Sequence, residues 1–189
     1  QDAGPSSGIV ADHLVNLSQV RQGLGDYREA ATILDRALAI QLTVDPKGFG
    51  VLETRNQLAN LLIEGGSAYD RALALHAQNV TDLRAMLGPT HPYVALGLNN
   101  LAHAEDETGK RAEAQQHYAE ALALDRKIYG EAHPEIALML NNLAMSESAG
   151  GALEPAEGHA REALAMRQKV LGAEHGDTVI SVRNLAHIL

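Results

Sequence analysis

Leu98-Asn99-Asn100-Leu101-Ala102 decides the fold, because the chain repeats it. It returns 42 residues on as Leu140-Asn141-Asn142-Leu143-Ala144, and after another 42 as Arg183-Asn184-Leu185-Ala186. Upstream, Asn56-Gln57-Leu58-Ala59 and Val15-Asn16-Leu17-Ser18 are weaker copies at spacings of 43 and 41. Ala30, Ala72, Ala114 and Ala156 keep the same step. A short motif at a near-constant period announces stacked supersecondary units, each too small to bury its apolar face alone.

Outward from the motif, each unit reads as two helices about a glycine turn. Val10, Leu14, Leu17 and Val20 fall on one face of a helix opening near Ile9. Gly23 and Gly25 end it, and Asp26 stands where it can cap the next helix, 27–43. Asp45-Pro46-Lys47-Gly48 breaks the pattern; a first helix around Leu52–Leu62, a turn at Gly65-Gly66 and a helix over 68–87 follow. Helices are expected at 92–108, 111–129, 134–149 and 154–171, with a fifth first helix running to the chain end. The units are approximately 9–48, 49–90, 91–132, 133–174 and a partial 175–189, one continuous stack over 9–189 behind a flexible segment at 1–8. No β-branched alternation competes with this all-α reading.

Composition narrows the partners. The 189 residues carry a net charge of −9 and no basic run, which argues against a nucleic-acid partner. No apolar run approaches the roughly 18 residues that span a bilayer. With one Phe, no Trp and no Cys, the core must be Leu, Ala, Ile and Val, without disulfides or thiolate metal sites. The chain opens on Gln1, which reads as an excised or processed segment; cytoplasm and periplasm both remain open.

Gly25-Asp26-Tyr27-Arg28-Glu29-Ala30 followed by Arg36-Ala37-Leu38-Ala39-Ile40 resembles the second half of a tetratricopeptide repeat. Gly130-Glu131-Ala132-His133-Pro134 leading into Leu140-Asn141-Asn142-Leu143-Ala144 is similar to the 42-residue repeats of kinesin light chains and many bacterial signalling proteins. The resemblance covers about residues 9–189 and implies a right-handed α-solenoid whose first helices line a concave groove. By that analogy the groove positions include Asn16, Gln57, Asn60, Asn99, Asn100, His103, Asn141, Asn142, Met145, Arg183 and Asn184. Asn16, Gln57, Asn100, Asn142 and Asn184 make one amide rung per unit. Such amides both donate and accept, which suits the main chain of an extended peptide. The competing reading is that they bond one another and fix the stack.

Arg183 is the lone base among these positions, against Glu64, Asp106 and Glu107, so the expected ligand is a neutral or basic extended peptide. The alternative is a structural, oligomerisation or sensor module of a larger signalling protein, such as a bacterial kinase. Catalytic signatures are missing: Gly23-Leu24-Gly25 lacks its third glycine, with Arg28 in its place, and no P-loop, HExxH or Gly-x-Ser-x-Gly occurs. Neither enzyme activity nor a cofactor is expected, and Glu105, Asp106 and Glu107 read as a solvated acidic run. His91, His133 and His175 recur every 42 residues. Rungs about 10 Å apart cannot share an ion whose ligands sit about 2 Å away, so these histidines are expected to satisfy backbone at helix starts. Leu185, Ile188 and Leu189 lack a second helix to cover them. Either the chain continues, or this end associates with another copy.

Overall fold

The computed structural model describes residues 7–189; of the segment expected to be flexible, residues 1–6 lie outside the described residues. Gly8 instead opens the first helix and Ser7 caps it, the Ser7 hydroxyl accepting from the Val10 N–H at 3.4 Å. Among the described residues there are nine helices and no strand. They fall into two compact units, Gln1–Met86 and Leu87–Leu189.

The first unit holds α1 (Gly8–Gly23), α2 (Tyr27–Val44), α3 (Phe49–Glu64) and all but the last residue of α4 (Tyr69–Leu87). The second holds α5 (Pro92–Glu107), α6 (Arg111–Tyr129), α7 (Pro134–Ala149), α8 (Leu153–Leu171) and α9 (Gly176–Ile188). Odd-numbered helices carry the Leu-Ala motif (Leu17-Ser18 in α1) and even-numbered ones the alanine column. Ala30, Ala72, Ala114 and Ala156 are each fully buried. Without a side chain beyond Cβ, they let the two helices of a hairpin close tightly.

All four hairpin turns share one hydrogen-bond scheme. After α7, the Gly151 N–H donates to the Ser148 carbonyl at 2.9 Å and the Ala152 N–H to the Glu147 carbonyl at 2.9 Å. The same pair of bonds closes the turns at Gly25, Gly66 and Gly109. This scheme needs a left-handed residue, and Gly151 supplies it at φ 84°. Since a methyl group there would meet nothing within 4 Å, Gly151→Ala isolates the backbone term. It is expected to lower stability by about 1–2 kcal/mol in denaturant unfolding.

The helix starts split into two kinds. His91, His133 and His175 each adopt extended backbone, and each Nδ1 accepts the N–H two residues on, at 3.2 Å. Pro92 and Pro134 then occupy first-turn positions, where no N–H is needed. Tyr129, at the end of α6, stacks on the His133 ring with centroids 3.9 Å apart. Asp26 does not cap as the sequence suggested. Its ψ of 61° is far from the extended value near 150° that aims a side chain at the first turn, and it makes no capping bond.

The apolar face expected of α1 also needs correction. Ala11 and Ser18 are its buried residues, while Leu17 is 44% and Val20 59% exposed. In α3 the residue matching Leu17 is Leu58, fully buried in a cluster with Leu34 and Leu38 of α2. Among the described residues no helix precedes α1.

Candidate functional site

In α3, α5 and α7 the motif leucine and alanine are buried, and the amide before them is not. In the first unit Asn16 and Asn60 are exposed and Gln57 is half-buried. Beside them Gln22 Nε2 donates to Glu64 Oε2 at 2.8 Å, tying α1 to α3 across one repeat step. In the second unit Asn99, Asn100, Asn142 and Asn184 are half-buried, and His103 and Arg183 are exposed. Met145 is half-buried, leaning on the cluster that includes Ala144, Leu185 and Ile188.

Two contacts stitch α5 to α7 along this row. Asn142 Nδ2 donates to Asn99 Oδ1 at 2.7 Å, and the Ser146 hydroxyl donates to Asp106 Oδ1 at 2.9 Å. Burial pushes the Asp106 carboxyl above its ordinary range, with the Ser146 hydroxyl opposing the shift. Part of the amide ladder therefore holds neighbouring repeats together.

Asn141 is placed differently from its neighbours. Only 2% exposed, it turns into the α7–α9 contact and donates through Nδ2 to the Ser181 hydroxyl at 2.7 Å. The same hydroxyl accepts from Arg167 Nη1 at 3.0 Å, and Arg167 Nη1 also donates to the Asp177 carbonyl at 2.8 Å. Burial lowers the pKa of this guanidinium. Asn141 is thus part of a packed polar network at the start of α9, not a surface amide.

Glu105 likewise leaves the solvated acidic run assigned to it. It is buried, and His117 Nδ1 donates to its Oε2 at 2.7 Å. One repeat later His159 Nδ1 donates to Glu147 Oε2 at 2.8 Å. Both pairs clamp a first helix to its own second helix. Their common 42-residue offset was present in the sequence and is the signal that would have found them. Among the described residues no three His, Cys, Asp or Glu side chains group to hold a metal ion.

A repeated all-α hairpin with a row of amides on its first helices defines a class of stacked interaction scaffolds. The tetratricopeptide repeat family matches residues 50–127 and again 107–169, well over half of the chain. The chain belongs to the tetratricopeptide repeat family. No curated protein matches it. Among solved structures, it is similar to a Podosopora anserina protein described as a kinesin light chain with nearly identical TPR-like repeats. That likeness has a TM-score of 0.80 at 23% identity, over 96% of this chain and 86% of that one. A variant of the same protein gives 0.81 at 25% identity, over 97% and 85%. BtubC (BKLC) from P. vanneervenii gives 0.78 at 24% identity, over 96% and 72%. The fold is an all-α tetratricopeptide solenoid, and the protein is an interaction-repeat scaffold of a kind that is typically non-catalytic and binds other proteins. No described helix is long and apolar enough to cross a membrane.

Proposed function

We propose that the chain binds an extended peptide, neutral or basic, along the amide-bearing faces of its first helices. The observation that carries this reading is the recurrence of an amide immediately before each motif leucine. Asn16, Gln57, Asn100, Asn142 and Asn184 all keep solvent access, while Leu58, Leu101 and Leu143 beside them are buried. A side-chain amide can donate to a carbonyl and accept from an N–H, so one per repeat matches a main chain whatever its side chains. Asn60, Asn99, His103, Met145 and Arg183 flank that row, and Asn141 supports it from within. Held on packed helices, the amides lose little entropy when a ligand arrives. Glu64, Asp106 and Glu107 favour basic over acidic segments.

The test is a displayed library of extended peptides of varied charge, followed by affinity measurement on the recovered sequences. Neutral and basic peptides are expected, and Asn100→Ala with Asn142→Ala should weaken them at least about tenfold, two amide contacts being worth roughly 1 kcal/mol each. Asn142→Ala alone should cost only about 0.5–1.5 kcal/mol of stability, for the lost Asn142–Asn99 bond. Recovery of acidic peptides alone would overturn the charge assignment. Collapse of the fold with unchanged affinity would make the amides structural.

A further inference from the structure

The strip of α5 that carries Asn100 also carries Tyr93 and Leu96, at successive spacings of 3 and 4 residues. Such steps keep side chains on one face of a helix. Tyr93 is 49% exposed and Leu96 46%. One repeat step of 42 residues on, the strip of α7 reads Glu135, Leu138 and Asn142, with Leu138 half-buried. On each of these two first helices, then, a leucine that keeps solvent access stands one turn before the amide. The first unit is different. The residues four before Asn16 and Gln57 are Asp12 and Glu53, both exposed. The leucines are therefore a property of the second unit and not of the repeat as such.

The distance between the two leucines selects what can bridge them. α5 and α7 touch, Asn142 bonding Asn99 and Ser146 bonding Asp106, and helices in contact lie about 8–10 Å apart. Along a β-strand, side chains on one face recur every 6.8 Å or so, and a residue three positions on points to the other face. Residues seven apart in an α-helix fit, at about 10.5 Å, but its main chain is spent on its own hydrogen bonds and offers nothing to the amides. A polyproline II segment has three residues per turn and no internal hydrogen bonds, so every third side chain returns to one face after about 9.3 Å, with its carbonyls open to asparagine donors. Tyr93 supplies an aromatic ring of the kind that such segments dock against. Charge agrees with this occupant. Neither α5 nor α7 contains a lysine or arginine, while Glu107 and Glu135 are exposed, so the segment is neutral or basic.

We infer that the second unit recognises a polyproline II segment with apolar side chains three residues apart, one seated on Leu96 and the next on Leu138, its main chain running along Asn100 and Asn142. The inference rests on the peptide-binding reading and narrows it to one ligand conformation and one side-chain period.

Fluorescence anisotropy on the whole chain tests it with labelled peptides of equal length, each bearing one lysine. The first carries two leucines three apart in a proline background. The second carries them two apart in a threonine background, the third seven apart in an alanine background, and the fourth is the proline peptide without leucine. The first is expected to bind at least about tenfold more tightly than the others, the scale of covering one half-open leucine. Leu96→Asp, at an exposed position, should remove that advantage with unchanged circular dichroism and leave the affinity for the leucine-free peptide as it was. Equal affinity for the second peptide overturns the inference and leaves the extended-peptide reading standing. Equal affinity for the third overturns both, as does failure of all four to bind. A Leu96→Asp variant that loses the first and the fourth peptide alike also overturns the inference, because the leucine would then act through the fold and not as an anchor.

Discussion

Leu58→Ala and Leu140→Ala are each expected to destabilise the protein by about 2–5 kcal/mol, the range for emptying a fully buried leucine site. Both side chains are completely excluded from solvent. Leu58 sits in the cluster with Leu34, Leu61 and Ala72, and all of them are held on rigid helices that cannot collapse around a void. Denaturant unfolding is the measurement. Its control is Leu17→Ala, which alters the same motif leucine one repeat earlier, where it is half open to water. That change should cost under about 1 kcal/mol, as surface substitutions do. If Leu17→Ala costs as much as Leu58→Ala, the register described for α1 is wrong.

Asp125→Leu is expected to act in the opposite direction. The Asp125 carboxyl is 3% exposed, and burial, reinforced by the nearby Glu135, pushes its pKa up from 3.8 to about 6. A group whose folded pKa is raised holds its proton more tightly when folded. Its contribution is complete below about pH 4 and is lost as the pH climbs through about 6. At pH 8 the charged carboxylate therefore opposes folding by up to about 3 kcal/mol. In the preceding repeat Leu83 holds the matching place and is buried there, so the leucine shape has a precedent. Thermal melts should show Asp125→Leu gaining stability at pH 8 and little at pH 4. An equal gain at both would assign the effect to packing and not to charge.

The helices were legible because the period was. A 42-residue step carried by Leu101, Leu143 and Leu185 forces hairpins of fixed length, and the same step marks the capping histidines His91, His133 and His175. Harder to read was which face of a helix meets which neighbour. Asn141 and Asn142 are adjacent and chemically identical, yet a turn of about 100° along the helix sends one to Ser181 and the other toward Asn99. Choosing between them requires Ser181 and Arg167, which are 40 and 26 residues away. Glu105 failed for the same reason: its partner His117 lies across a turn, out of reach of any local count of acids. The α1 face failed differently. The periodic pattern is the same as in α3, but the hairpin that would bury it is missing among the described residues.

The local ties in these hairpins also bear on how such a chain changes length. Between Gly130 and Leu171 the His133 cap, the turn at Gly151 and the Glu147–His159 clamp are all closed within one stretch of sequence. Copying that stretch in frame would carry its own start, its own bend and its own lock. Only the side chains facing the next hairpin, such as Arg126 on Glu162 or Asn142 on Asn99, would have to find new partners of the same kind. A hairpin with its start, bend and lock all inside one stretch of sequence is thus a self-contained unit of length, and adding one in frame is expected to extend the chain without unfolding its neighbours.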